Sequence, residues 1–341
     1  MKHIIALVLI VIAAPFVLQA GYGFYHGRDV ASGLITLAKG LVRQDLIYSA
    51  TVVRPESMVP AVHRQVTWKG ELESEALAEA SGLAASQSRK ATFYSINDSG
   101  NEPRLFVIGE RGEDRGSFPI DYEDNHDFED LSSFQFEGDD YLLLADTGDN
   151  FNWRPYLTVL VLREPDIDSL DQDTVLQPVW RFNYTYPNGY RDCEAVAVDE
   201  SNNRILLISK RRVPAEVFSL PLRPETENVV ARLEARLEKL PQPSQRDLRE
   251  DSWYGRSRSM PTALDIHKRK AIVITYRDAW LYRRDRRSRW AEAFTGEPER
   301  IALPDIYGLE SGTMTREGRS LVLVGEREEG VGRMGIYEVE L

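Results

Sequence analysis

Five short segments of this 341-residue chain each set an oxygen-bearing side chain at a matching position. They are Glu79-Ala80-Ser81-Gly82-Leu83, Asp127-Phe128-Glu129-Asp130-Leu131, Asp192-Cys193-Glu194-Ala195-Val196, Met260-Pro261-Thr262-Ala263-Leu264 and Gly308-Leu309-Glu310-Ser311-Gly312. The aligned residues are Ser81, Glu129, Glu194, Thr262 and Glu310. Three carboxylates brought together repel one another, so they either keep protons or share a cation. Carboxylate and hydroxyl oxygens suit a hard ion, and calcium accepts about 6–8 of them at roughly 2.3–2.6 Å in irregular geometry, where magnesium demands a tighter octahedron. Zinc prefers nitrogen or sulfur ligands, and the five histidines form no spaced cluster. A water-filled channel lined by solvated glutamates is the other reading of these residues.

A second polar set follows each of the five: Asn97-Asp98, Asp146 with Asp149, Lys210-Arg211, Tyr276-Arg277 and Glu326-Arg327. Bases beside a cation suit an anionic ligand, because arginine grips phosphate oxygens in pairs. In a hydrolase built this way, Asp98 or Asp146 acts as base toward water and Arg277 steadies the developing charge. Lys210, Arg211, Arg327 and Asp149 then line the ligand. Surface ion pairing is the competing account of the basic residues. Asp146-Thr147-Gly148-Asp149-Asn150 is either part of a calcium loop or a tight Asp-Gly turn, since it lacks the full loop spacing.

The spacing says what must position these groups. The ring residues lie 48, 65, 68 and 48 apart, close to the roughly 40–50 residues of a four-stranded propeller blade with insertions. Short Val-, Ile-, Leu- and Tyr-rich runs between them read as strands bounded by Gly, Asp, Asn and Pro. The expected fold is all-β, a five-bladed propeller in which the first strand of each blade lines the channel. The last unit has three strands before Leu341, so Val66–Glu73 is expected to pair with Gly335–Leu341 and close the ring. Asn228–Lys239 is read as an outer strand. A β-sandwich and a six-bladed count are the alternatives.

The chain has 42 Lys and Arg against 54 Asp and Glu, a net charge of −12. That balance argues against a nucleic-acid partner. One cysteine, Cys193, excludes an intrachain disulfide and a cysteine-based metal site. Met1-Lys2-His3 precedes an uncharged run from Ile4 to His26, the pattern of a signal peptide or a membrane anchor. The expected plan is 1–26 signal or anchor, 27–62 connector and 63–341 propeller, placed outside the cytoplasm as a monomer.

Around the ring residues the sequence resembles the apyrase family of calcium-activated nucleotidases. Ser81, Glu129, Glu194, Thr262 and Glu310 follow that family's order of Ser, Glu, Glu, Ser, Glu. Tyr94-Ser95-Ile96-Asn97-Asp98 is similar to its Tyr-Ser-Val-Asp-Asp segment, and Lys210-Arg211 to its basic pair. The resemblance implies a five-bladed propeller with a central calcium that hydrolyses nucleoside di- and triphosphates. Where the family carries Arg after its acidic residue, Ser99 stands here. The Asp-Phe-Glu-Asp and Asp-Thr-Gly-Asp-Asn segments also resemble uncharacterised secreted bacterial propellers. From the residues, three functions stay open: a calcium-dependent phosphohydrolase, a non-catalytic binding propeller for a small ligand or a protein, and a carbohydrate or lactone hydrolase.

Overall fold

The computed structural model describes residues 59–341 except 124, 170, 172, 213, 241–248, 250–259 and 328–333. The apolar run at 4–26 lies outside the described residues. The described chain enters through β1 (Ala61–His63) and β2 (Val66–Glu71), which belong to the last two blades. Blade one follows as β3 (Ala80–Ala85), β4 (Thr92–Asn97), β5 (Arg104–Gly109) and β6 (Asp114–Pro119). Blade two is β7 (Phe128–Phe136), β8 (Asp139–Asp146), β9 (Leu157–Arg163) and β10 (Pro178–Thr185). Blade three begins with β11 (Cys193–Asp199), β12 (Arg204–Ser209) and β13 (Glu216–Pro221). The segment read as one outer strand is then divided. Its start, β14 (Asn228–Val230), crosses to pair in parallel with β10, and β15 (Arg232–Arg236) completes blade three.

Blade four is β16 (Pro261–His267), β17 (Lys270–Thr275), β18 (Asp278–Arg283) and, after the short helix α1 (Trp290–Thr295), β19 (Glu299–Ala302). Strand β1, at the end of the stretch read as connector, adds to the outer edge of β19 in parallel. Blade five is β20 (Ser311–Met314), β21 (Ser320–Val324) and β22 (Gly335–Glu340), closed by β2. The closing pair runs antiparallel, with Val66 opposite Val339 and Glu71 opposite Gly335. The alternation read in this strand holds only in its second half. The ladder slips between Trp68 and Gly70, and Trp68 stays 58% exposed while Leu72 beyond the strand is buried. An edge strand has no neighbour to cover its first turns, and a bulge there also blunts the edge.

Middle strands read as unbroken apolar runs, such as Leu142-Leu143-Leu144-Ala145 and Ile205-Leu206-Leu207-Ile208, because each blade is packed on both faces. The buried residues accordingly fall into five clusters, one between each pair of neighbouring blades. The cluster joining Phe93 and Ile108 to Val322 and Ile336 closes the circle between blades one and five. No helix among the described residues is long and apolar enough to cross a membrane.

Candidate metal centre

The ring residues do not sit in regular strand. In β7 Phe128 pairs with Asp146 and Asp130 with Ala145, leaving Glu129 as an extra residue without a partner. The same irregularity isolates Glu194 between Cys193 and Ala195, and Thr262 between Pro261 and Ala263. In β3 it takes in Ser81 and Gly82. A bulge re-aims the side chain of the inserted residue, so four of the five sequence repeats mark bulges at the start of an inner strand. Glu310 directly precedes β20. Gly82 is confined to glycine: its φ is +89°, and a Cβ would lie 2.6 Å from the Leu131 nitrogen on the next blade.

The bulged residues divide into two kinds. The hydroxyls join blades: Ser81 donates to the Glu129 carbonyl at 2.9 Å, and Thr262 to the Leu309 carbonyl at 2.9 Å. The three glutamates converge, as the repeats predict. Glu194 is ion-paired with Lys210, whose Nζ also lies 3.2 Å from Glu310 Oε1. Against the cost of burial, Glu194 and Glu310 hold the Lys210 ammonium well above its usual range. Tyr276 hydrogen-bonds Glu310, and its ring lies 5.2 Å from the Lys210 nitrogen. One side of the ring is thus neutralised by the protein's own cation.

Glu129 is on the other side. Oxygens of Asp98, Asp127 and Glu129 lie within 4.8 Å of one another, as do those of Glu129, Asp192 and Glu194, and those of Asp98, Glu310 and Glu326. Asp192 is already held by Arg211 at 2.6 Å and by the Asp149 amide at 2.8 Å. Glu129 and Asp127 are 3% and 8% exposed, and no hydrogen-bond donor or basic group among the described residues bonds either carboxylate. Burial, then repulsion from Glu194, Asp127 and Asp98, drives the Glu129 carboxyl well above the usual range. Asp127 is pushed up to about 8 by burial and then by Asp98 and Asp192, and half-buried Asp98 to about 6 by burial, with Glu310 adding to it. Glu326 is pushed up to about 8 by burial and by Glu310.

The other expected site residues occupy the surroundings. Asp146 is fully enclosed. Its carboxylate takes bonds from Arg154 at 2.7 Å, the Tyr122 hydroxyl at 2.6 Å and the Asp127 amide at 3.1 Å. Burial opposes its ionisation, but Arg154, His126 and Tyr122 hold its carboxyl below the usual range. Asp149 accepts from the Trp153 and Arg154 amides and is raised to about 7 by burial. Arg277 lies 3.8 Å from Asp278 in the β17–β18 turn, and Arg327 donates its amide to the Ala78 carbonyl at the junction of blades five and one. The sequence reading missed Asp127 and Asp192. A signal was there: each stands two residues before a ring glutamate, giving Asp-x-Glu in two successive blades. Arg154 and Tyr122 carried no such mark, since loops deliver them.

No family model matches the chain, and no curated protein does. Among solved structures, it is similar to Myxococcus xanthus glutaminyl cyclase at 10% identity, over 82% of this chain and 99% of that one, with a TM-score of 0.47. It is similar to a gluconolactonase from Xanthomonas campestris at 11% identity, over 84% and 99%, with a TM-score of 0.41. A chain of the nidogen–laminin complex matches at 11% identity over 73% of each, with a TM-score of 0.42. At these identities the likeness concerns the propeller fold alone.

Proposed function

We propose that the channel mouth binds calcium through Asp127 and Glu129, beside Asp98, and that the protein is an extracytoplasmic, calcium-dependent hydrolase of phosphoanhydride or phosphoester bonds. The observation that carries the cation is the pair of buried carboxylates, Asp127 and Glu129, with no donor on either. Oxygens within 4.8 Å of one another can share one hard cation, and the irregular carboxylate set suits calcium better than the strict octahedron of magnesium. The mouth is otherwise acidic, so an anionic ligand is attracted only once a cation is bound. Calcium would then supply Lewis-acid polarisation of a phosphoryl oxygen. Lys210 is already matched by Glu194 and Glu310, so the cation would supply the positive charge that an anionic ligand needs. Of the two expected bases, Asp98 has an open face, while Asp146 is locked by Arg154.

A second reading has a specific observation behind it: Arg211, Arg277 and Arg327 all have partners within the protein. In that reading calcium holds the blades together and no bond is cleaved. Two measurements separate the readings. Calcium at about 100 times its dissociation constant should stabilise by about 2.7 kcal/mol, and Glu129→Gln should abolish most of that rise in melting temperature. Nucleotides, phosphoesters and lactones are then assayed with and without chelator. Asp98→Asn should lower turnover by about 100-fold or more while leaving the calcium-induced stabilisation largely in place. Stabilisation without turnover of any substrate selects the binding reading, and a melt indifferent to calcium rejects the metal centre.

A further inference from the structure

At the end opposite the mouth, blades two and three carry acidic turns such as Glu137-Gly138-Asp139, but blades four and five form a basic sector. In blade four the β16–β17 turn is Lys268-Arg269-Lys270, and the stretch from Arg283 to Arg289 contains five arginines. The Arg284 amide bonds the Arg269 carbonyl at 2.9 Å, so these two basic segments run side by side. Lys270 Nζ reaches the Gly318 carbonyl at 2.8 Å and ties them to the β20–β21 turn, which bears Arg316 and Arg319. Those two residues also border a cavity of about 680 Å³ between blades five and one, whose lining mixes Lys69, Arg89 and Lys90 with Glu110, Glu317 and Glu338. Six of these groups, Lys268, Arg269, Arg286, Arg287, Arg316 and Arg319, are exposed and form no ion pair among the described residues. In a chain of net charge −12, a basic sector confined to two neighbouring blades is an electrostatic footprint.

The chain enters at the same place. Ala61 pairs with Arg300 on β19, near the Arg283 end of blade four, and Val59 packs on the cluster that contains Trp290 and Phe294. The uncharged run at 4–26 is joined to that point by 32 residues, 27–58. Fully extended, such a tether spans roughly 100 Å, so by itself it does not orient the propeller. A basic face does, because each lysine or arginine near an anionic bilayer adds about fivefold in affinity. We infer that this face, from the β16–β17 turn to the β20–β21 turn, docks on anionic phospholipid headgroups and turns the acidic mouth toward water. The occupant follows from charge complementarity and from the apolar run that leads into this face. The inference rests on that run being a membrane anchor, and is independent of the metal centre.

The test uses the full chain in vesicles of phosphatidylcholine alone or with phosphatidylglycerol. Cys193 is buried and its thiol is pushed up to about 12 by burial, so a surface cysteine is labelled selectively. Ser288→Cys reports the basic face and Glu102→Cys the mouth face, each by energy transfer to a headgroup acceptor. Phosphatidylglycerol should raise transfer from position 288 by about twofold or more, an effect lost near 1 M salt, where the screening length is about 3 Å. Transfer from position 102 should stay low. Arg286→Glu with Arg287→Glu should remove the rise, and the milder Arg316→Gln with Arg319→Gln should reduce it. Equal transfer from 288 in both lipids, or a rise that survives both pairs of substitutions, overturns the proposal. So does a labelled DNA duplex that engages position 288 where phosphatidylglycerol does not, which assigns the face to nucleic acid.

Discussion

Lys210 shows how the ring is held without a bound ion. Its ammonium is 7% exposed and lies between Glu194 and Glu310. Removing one partner of a buried ion pair leaves the others uncompensated, at a cost of about 3–5 kcal/mol. Lys210→Met should therefore lower the denaturant midpoint far more than Lys239→Met, whose ion pair with Glu297 is exposed. Asp127 behaves in the opposite sense, because it has no such partner. Its folded-state carboxyl is pushed up to about 8, whereas an unfolded aspartate titrates near 3.9. The folded protein then holds more protons than the unfolded chain between those values, so stability falls as pH rises through them. In chelator, denaturation midpoints should decline from about pH 5 to about pH 8, and saturating calcium should flatten the decline. Midpoints in chelator that rise over this range would contradict the donor-free environment of Asp127 and Glu129.

Carboxylates of a second type tie the blades together. Asp130, next to Glu129, is fully buried and accepts the Leu131 amide at 2.8 Å, the Val196 amide at 2.7 Å and the Leu264 amide at 3.1 Å. One side chain thereby joins blades two, three and four. Asp265 does the same between blades four and five, accepting the Met314 amide at 2.7 Å. Each buried donor left without a partner costs about 1–3 kcal/mol, so Asp130→Ala should destabilise by roughly 3 kcal/mol or more in denaturant melts. Asp166→Ala, at an exposed ion pair, should be near neutral. Closure makes a parallel demand on β2. A chain beginning at Val59 keeps the Val66–Val339 pairing, while one beginning at Ser74 leaves β22 as an open edge. The shorter chain should aggregate and lose its cooperative melt. Equal cooperativity of the two would show that closure does not hold the ring.

At the scale of the molecule, charge is distributed unevenly around the propeller. Carboxylates crowd the mouth, and exposed lysines and arginines gather on the far side of blades four and five, within a chain of net charge −12. The separation follows from topology. Every blade begins its inner strand at the mouth and turns back at the other end, so mouth-side and far-side turns are different stretches of sequence. The mouth-side stretches are Asp-x-Glu segments and their second-strand ends. The far-side stretches are the inner-strand turns, basic in blades four and five and acidic in blades two and three. A protein polarised in this way aligns near a charged surface, and the proposed site would face the solvent.

The five-blade count and the convergence of Glu129, Glu194 and Glu310 were legible in the sequence because repetition is a one-dimensional property. Equivalent residues recur once per blade, and the ring closure followed from a missing fourth strand that Val66–Glu71 supplies. The chemistry of each ring position was not legible, because it depends on which neighbour arrives from another blade. The repeats make Ser81 and Thr262 look equivalent to the glutamates, yet their hydroxyls bond carbonyls of the adjacent blade. Asp98 and Asp146 stand at matching positions in blades one and two, yet a loop brings Arg154 and Tyr122 onto Asp146 and leaves Asp98 half-buried in the mouth. Lys210 reaches Glu310 from 100 residues away. Periodicity, set by the strand and blade lengths, fixes where side chains converge. Their partners, burial and charge are fixed only when the blades pack around the channel.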